Sequence, residues 1–107
     1  MTCYTDATDT KKITREIERN LQVEDKAIEV LQLIATLCLT TELSEDPMTL
    51  WLRLLSENGV TAQKWKGSKD VIEIYPSGTH GVGKSDRLWF QLGETSVAVI
   101  KAYESEH

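Results

Sequence analysis

The sequence predicts an α+β domain in which about three N-terminal helices pack on a C-terminal four-stranded antiparallel meander. Three observations carry this expectation. Apolar residues recur every three or four positions up to about residue 57. From residue 60 onward the period switches to two. Two of the three links between the later segments, KGSK and LGET, are short and contain glycine, as hairpins of adjacent antiparallel strands require. With 107 residues, 40% hydrophobic and 27% charged, the chain suits one domain with a core of its own.

Residues 1–9 are polar and read as a mobile tail, leaving residues 10–107 as the domain. Asp9 or Thr10 is placed to cap a helix, after which Ile13, Ile17 and Leu21 mark one face. The stripe continues through Ala27, Val30, Leu31, Ile34, Leu37 and Cys38, widened by Ile28 and Leu33. Residues 10–41 therefore form one helix or two, the second being the central core helix, with a bend near Gln22–Asp25 if they are separate. The next helix is sharply bounded. Ser44 or Asp46 caps it, Pro47 fits its first turn, and Asn58-Gly59 ends it. Its core stripe includes Met48, Trp51, Leu52, Leu54 and Leu55. Four strands follow, over 60–66, 70–75, 87–92 and 95–103.

The link between the second and third of these strands holds GTHGVGKS, residues 78–85, a full match to the phosphate-loop pattern G-x-x-x-x-G-K-[ST]. That chemistry needs a strand before the loop and a helix after it, so that amides and helix N-terminus converge on the phosphates. Here SDRLWFQL follows, with the alternation of a strand, and only 23 residues remain after Lys84. These grounds argue against an NTPase of the P-loop fold. A weaker expectation remains: Thr79, His80, Gly81, Gly83, Lys84 and Ser85 could wrap an anion in a small backbone nest.

The net charge of −5 argues against a surface that tracks nucleic acid throughout. The charge is uneven. Residues 1–59 carry 11 acidic and 6 basic side chains, a balance of −5, whereas residues 60–87 carry five basic and three acidic ones, a balance of +2. Cys3 and Cys38 make no metal spacing, and neither His80 nor His107 is grouped with further ligands, so no metal and no cofactor are expected. Glu24-Asp25 and Glu45-Asp46 lie near helix starts, where they complement the helix dipole. Nothing singles out a catalytic pair, and the chain is read as no enzyme; a small enzyme of unknown chemistry ranks third. No apolar run reaches the roughly 20 residues of a membrane span. The free thiols and the lack of a leader pattern predict a cytoplasmic protein.

The strand faces carry the functional expectation. Strict alternation places Leu88, Phe90, Leu92, Ala98, Ile100 and Ala102 on one face. The other holds Arg87, Trp89, Gln91, Val97, Val99, Lys101 and Tyr103, joined by Trp65 and Tyr75. Helices cover only one face of such a sheet, and the outer face is normally polar. A mixed face of Trp, Tyr, Val, Arg and Gln has the composition of a partner-binding surface. The expected function is a non-catalytic adaptor or regulatory module that binds another protein, either a second copy as a homodimer or a regulatory target.

One further resemblance concerns LWLRLLSENGVTAQKWKGSKDVIEIY. Through Leu50, Leu54, Leu55, Gly59 and the KGSK tip it resembles the winged helix-turn-helix family over about 26 residues. The resemblance implies nucleic-acid or phosphate-ligand binding, with the helix near 47–57 in a major groove and Lys64, Lys66 and Lys69 on phosphates. The sequence departs from that family in having Arg53 as the one base of the would-be recognition helix, and in the strand pair after residue 86.

Overall fold

A computed structural model describes residues 2–105; Met1, Glu106 and His107 lie outside the described residues. The elements in chain order are β1 (Thr5–Asp6), α1 (Thr10–Asn20), α2 (Glu24–Thr40), α3 (Pro47–Glu57), β2 (Thr61–Lys64), β3 (Val71–Tyr75), β4 (Asp86–Leu92) and β5 (Ser96–Glu104). The α+β layout holds, but the sheet is not a four-stranded antiparallel meander. It has five strands in the order β1-β5-β4-β3-β2, with β1 parallel to β5 and the other pairs antiparallel. A strand thus precedes the helices.

The segment expected as a tail is built into the fold. Tyr4 is buried, its ring edge-on to Trp51 at 5.6 Å. The Thr5 amide donates to the Thr95 carbonyl, and Ala7 donates to Val97. Cys3 bridges Glu42, in the link between α2 and α3. One buried aromatic ring together with backbone pairing explains the order. No periodicity in a two-residue strand could have announced it.

The helix boundaries follow capping chemistry. Asp9 accepts from the Lys12 amide and Asp46 from the Thr49 amide, each satisfying an orphan N–H of a first turn. Pro47 begins α3, and Gly59 takes a left-handed φ of 76° just beyond its end. The region 10–41 is two helices, separated by extended backbone at Leu21 and Val23. The helices cover one sheet face. Trp51 lies at the centre of the core, fully buried and edge-on to Phe90 at 5.1 Å, with Ile17, Ile34, Leu55, Ile72, Ile74 and Leu88 around it.

One register irregularity changes the face assignment of β5. Trp89 pairs with Lys101, but Phe90 pairs with Val99, so Ile100 is an extra residue, a β-bulge. The alternation therefore slips by one at Ile100. Val97 and Val99, expected on the outer face, turn into the core beneath the helices, 1% and 3% exposed. Ala98 and Ile100 are correspondingly displaced from the core, and Ile100 is 38% exposed. Lys101 and Tyr103 lie beyond the bulge and stay on the outer face, opposite Trp89 and Arg87.

The bulge makes a sharp prediction. Val99→Lys buries an unpaired charge and should cost at least about 3 kcal/mol in urea unfolding. Ile100→Lys should cost less than about 1 kcal/mol. Strict alternation would give the opposite order.

Candidate functional site

The outer face of the sheet brings together seven of the nine residues expected there: Trp65, Tyr75, Arg87, Trp89, Gln91, Lys101 and Tyr103. Val97 and Val99 are not among them, for the reason just given. Pairing sets the arrangement. Glu73 sits opposite Trp89, Trp89 opposite Lys101 and Arg87 opposite Tyr103, so three central strands place these side chains side by side.

The organiser of this face is Glu73, a buried carboxylate in the otherwise apolar strand VIEIY. Its Oε2 accepts from the Tyr103 hydroxyl at 2.6 Å and from Trp89 Nε1 at 3.3 Å. Its Oε1 accepts from the Tyr75 hydroxyl at 3.3 Å and lies 3.8 Å from Arg87 Nε. Gln63 Nε2 donates to the Tyr75 hydroxyl at 2.6 Å, extending the network to β2. A buried carboxylate is costly unless its lone pairs are matched, and here two hydroxyls, an indole and a guanidinium surround it. Arg87 is itself anchored: Nη1 donates to the carbonyls of Lys84 and Asp86, and the guanidinium stacks 4.1 Å over the Tyr75 ring.

The aromatic groups form a continuous platform above this network. Trp65 and Trp89 lie 4.3 Å apart between centroids, and Trp89 meets Tyr103 edge-on at 5.5 Å. Lys101 Nζ lies 4.6 Å over Trp89 and 5.0 Å over Tyr103. Gly67 permits the Trp65 position, since a Cβ there would come within 2.3 Å of the indole ring. Burial first, and then the hydrogen bond to Glu73, push the Tyr103 hydroxyl up to about 12. Burial and the Glu73 charge also raise Tyr75.

The Gly-rich loop is docked rather than free. Gly78, Gly81 and Gly83 have left-handed φ angles, and a Cβ on Gly83 would come within 2.8 Å of Val23. The Gly83 amide donates to Gln22 Oε1 in the α1–α2 link. The Gly78 and Lys84 amides donate to the carbonyls of Tyr75 and Gly81. Two amides of the expected nest, those of Gly83 and Lys84, are therefore committed internally, as is that of Gly78. Thr79 and His80 are exposed, the Thr79 hydroxyl 3.5 Å from His80 Nδ1, and Ser85 accepts from the Ser105 amide through its carbonyl. The element after the loop is β4, a strand, so no helix N-terminus faces it. On α3, Arg53, the base that the winged-helix resemblance would set on nucleic acid, is flanked by two acids, Glu45 at 2.6 Å and Glu57 at 3.3 Å. Among the described residues no group of three or more His, Cys, Asp or Glu side chains could hold a metal ion, and no helix is long and apolar enough to cross a membrane.

Sequence reasoning missed Glu73, Gln63 and Asp86. Glu73 had a signal, a single acid inside a strand otherwise apolar or aromatic. Asp86 had none: it is fully buried and accepts from the amides of Gln22 and Val23, more than sixty residues away. Comparison with protein-family models, with curated proteins and with solved structures gives no match for this chain.

Two predictions follow from these geometries. Asp86→Ala orphans the Gln22 and Val23 amides and should lower unfolding free energy by about 2–4 kcal/mol, measured by chemical denaturation. In an alkaline titration of phenolate absorbance, Glu73→Gln should bring the last ionisation down from about 12 towards, but not to, the ordinary value of 10, because burial remains. The sign for stability is fixed by the raised folded value. Tyr103's contribution is complete below the unfolded pKa of 10 and is lost as pH rises through about 12.

Proposed function

We propose that the chain is a non-catalytic binding module that docks a partner protein on the outer face of its sheet. The observation that supports this reading is the platform of Trp65, Trp89 and Tyr103 capped by Lys101, fixed from below by Glu73. Aromatic groups with two side-chain torsions and prearranged hydrogen bonds lose little entropy when a partner covers them. Tryptophan, tyrosine and arginine are also the residue types that dominate binding energy at protein interfaces. The helices lie on the opposite face and leave this one uncovered.

The role fits an adaptor or regulatory protein. The nucleic-acid reading has less to support it, since Arg53 is ion-paired and several loop amides are occupied. Lys66 and Lys69 next to Trp65 keep it as a distinguishable outcome.

The test is site-specific photo-cross-linking in the native host, with the cross-linker at Gln91 or Lys101 and, as a control, at Glu57 on α3. A discrete protein adduct from the two sheet positions, absent from Glu57 and reduced at least about tenfold by Trp89→Ala, is expected. Equal yields from all three sites would refute the sheet face. Adducts that disappear on nuclease treatment would transfer the site to nucleic acid.

A further inference from the structure

The helix α2 has more apolar surface than the core can use. Ala27, Val30, Ile34 and Cys38 form its buried face. A second stripe, Ile28, Leu31, Ala35 and Leu39, runs beside it at helical spacing. Ile28 and Leu31 are half-buried, Ala35 is exposed, and Leu39 is 79% exposed, the most exposed large apolar side chain among the described residues. From Val30 to Thr41 there is no charged residue, in a chain that is 27% charged. The hydroxyls there are turned inward: Thr36 donates to the Gln32 carbonyl at 3.0 Å and Thr40 to the Thr36 carbonyl at 3.3 Å. Back-bonded hydroxyls leave mainly methyl groups to face outward. Depletion of charge with retained apolar area marks the centre of an interface rather than a solvated helix.

The stripe is also self-complementary. Leu31 and Leu39 lie four residues either side of Ala35. Beside Leu31 opens a cleft of about 300 Å³ between α1 and α2, lined by Ile28, Leu31 and Val99 on its apolar side and by polar residues that include Asp6, Thr10 and Gln32. A knob at Leu39 and a hollow at Leu31, symmetric about a small residue, is the pattern an isologous two-fold contact needs. We propose that a second copy of this chain packs α2 against α2 in an antiparallel homodimer centred on Ala35, with Leu39 of each copy entering the other's α1–α2 cleft. Alanine at the crossing lets the axes approach to the 8–10 Å of ordinary helix packing.

The area sets the strength. α2 is about 25 Å long at 1.5 Å per residue. One helix stripe of that length covers less than the roughly 800 Å² per partner of a standard interface. The dimer is therefore expected to be reversible, with a Kd of order micromolar. This inference does not rest on the sheet-face proposal: it uses the helical layer, which lies on the other side of the sheet. The two are compatible, since such a dimer turns both sheet faces outward.

Sedimentation equilibrium of the full chain tests it, together with oxidative cross-linking of Ala35→Cys in a Cys3→Ser background. Wild type should show a concentration-dependent dimer. Leu39→Glu should weaken it at least about 100-fold, because two symmetry-related leucines are lost at about tenfold or more each. Circular dichroism should stay unchanged, as Leu39 is outside the core. Val82→Glu, at the other strongly exposed apolar residue, should leave the dimer intact. Ala35→Cys should give a disulfide-linked dimer, and Gln91→Cys on the sheet should not. A chain that stays monomeric to about millimolar concentration, a dimer indifferent to Leu39→Glu, or cross-linking through Gln91→Cys instead of Ala35→Cys would overturn the proposal. The last outcome would move self-association to the sheet face. Loss of the α2 dimer with the sheet cross-links preserved would leave the adaptor reading standing alone.

Discussion

The fold depends on the carboxylate of Asp86. This side chain is fully buried, and its two oxygens accept from the amides of Gln22 and Val23 at 2.9–3.1 Å. Those amides lie in the elbow where α1 ends and α2 begins, a stretch whose N–H groups have no partner within either helix. One strand residue thus supplies what the helix layer lacks. The same elbow receives the Gly-rich loop through Gln22 and Gly83. The neighbouring residue points the other way. Arg87 faces the outer surface, meets Glu73 and Tyr75, and donates to the Asp86 carbonyl. Two consecutive residues at the start of β4 therefore link the helices below the sheet to the aromatic network above it. A disturbance at either one reaches both layers.

The sheet treats its two edges differently. The β5 edge is almost wholly consumed. β1 pairs with its first residues, the Thr8 hydroxyl accepts from the Val99 amide, Glu16 accepts from the Ala102 amide, and Asn20 donates to the Ala102 carbonyl. The bulge at Ile100 falls where strand pairing gives way to helix side chains, which is where a ladder can absorb an extra residue. The β2 edge is instead short, four residues, and carries Lys64, both of which discourage strand-to-strand aggregation. The helical layer carries no such deterrent over Val30–Thr41.

The legible parts of the structure were those written locally. Caps at Asp9 and Asp46, the Pro47 start, the Gly59 stop and the period-two strands each rest on interactions within a few residues, so the helices and four of the strands could be read directly. The parts that escaped are non-local. β1 is too short for a period and is held by Tyr4 on Trp51. The bulge was hidden because VAVI within this strand offers small or apolar residues in both registers; in the structure Val99 pairs with Phe90 and Val97 with Leu92. Seven of the nine residues expected on the outer face lie there; Trp89, Lys101 and Tyr103 do so because they keep their parity on the far side of the slip. Its carboxylate centre at Glu73 was overlooked, since a single acid in a strand reads as solvated until its partners are known. GTHGVGKS was a string without its context: a strand follows it, and the amides of Gly78, Gly83 and Lys84 bond to the chain's own carbonyls and to Gln22.

The two proposed surfaces differ in kind, and the difference bears on how the molecule would work. On the sheet face polar atoms are fixed in advance, so specificity would come from geometry around Lys101 and the indole pair. On α2 the Thr36 and Thr40 hydroxyls are bonded back to the helix, so association would come mainly from apolar area and shape. A weak symmetric contact of the second kind can strengthen a modest site of the first, because two copies held together present two platforms to one multivalent partner. The gain is then set by the spacing of the platforms, not by new contacts. If both proposals hold, neither the aromatic sheet face nor the uncharged stretch of α2 has to be strong by itself.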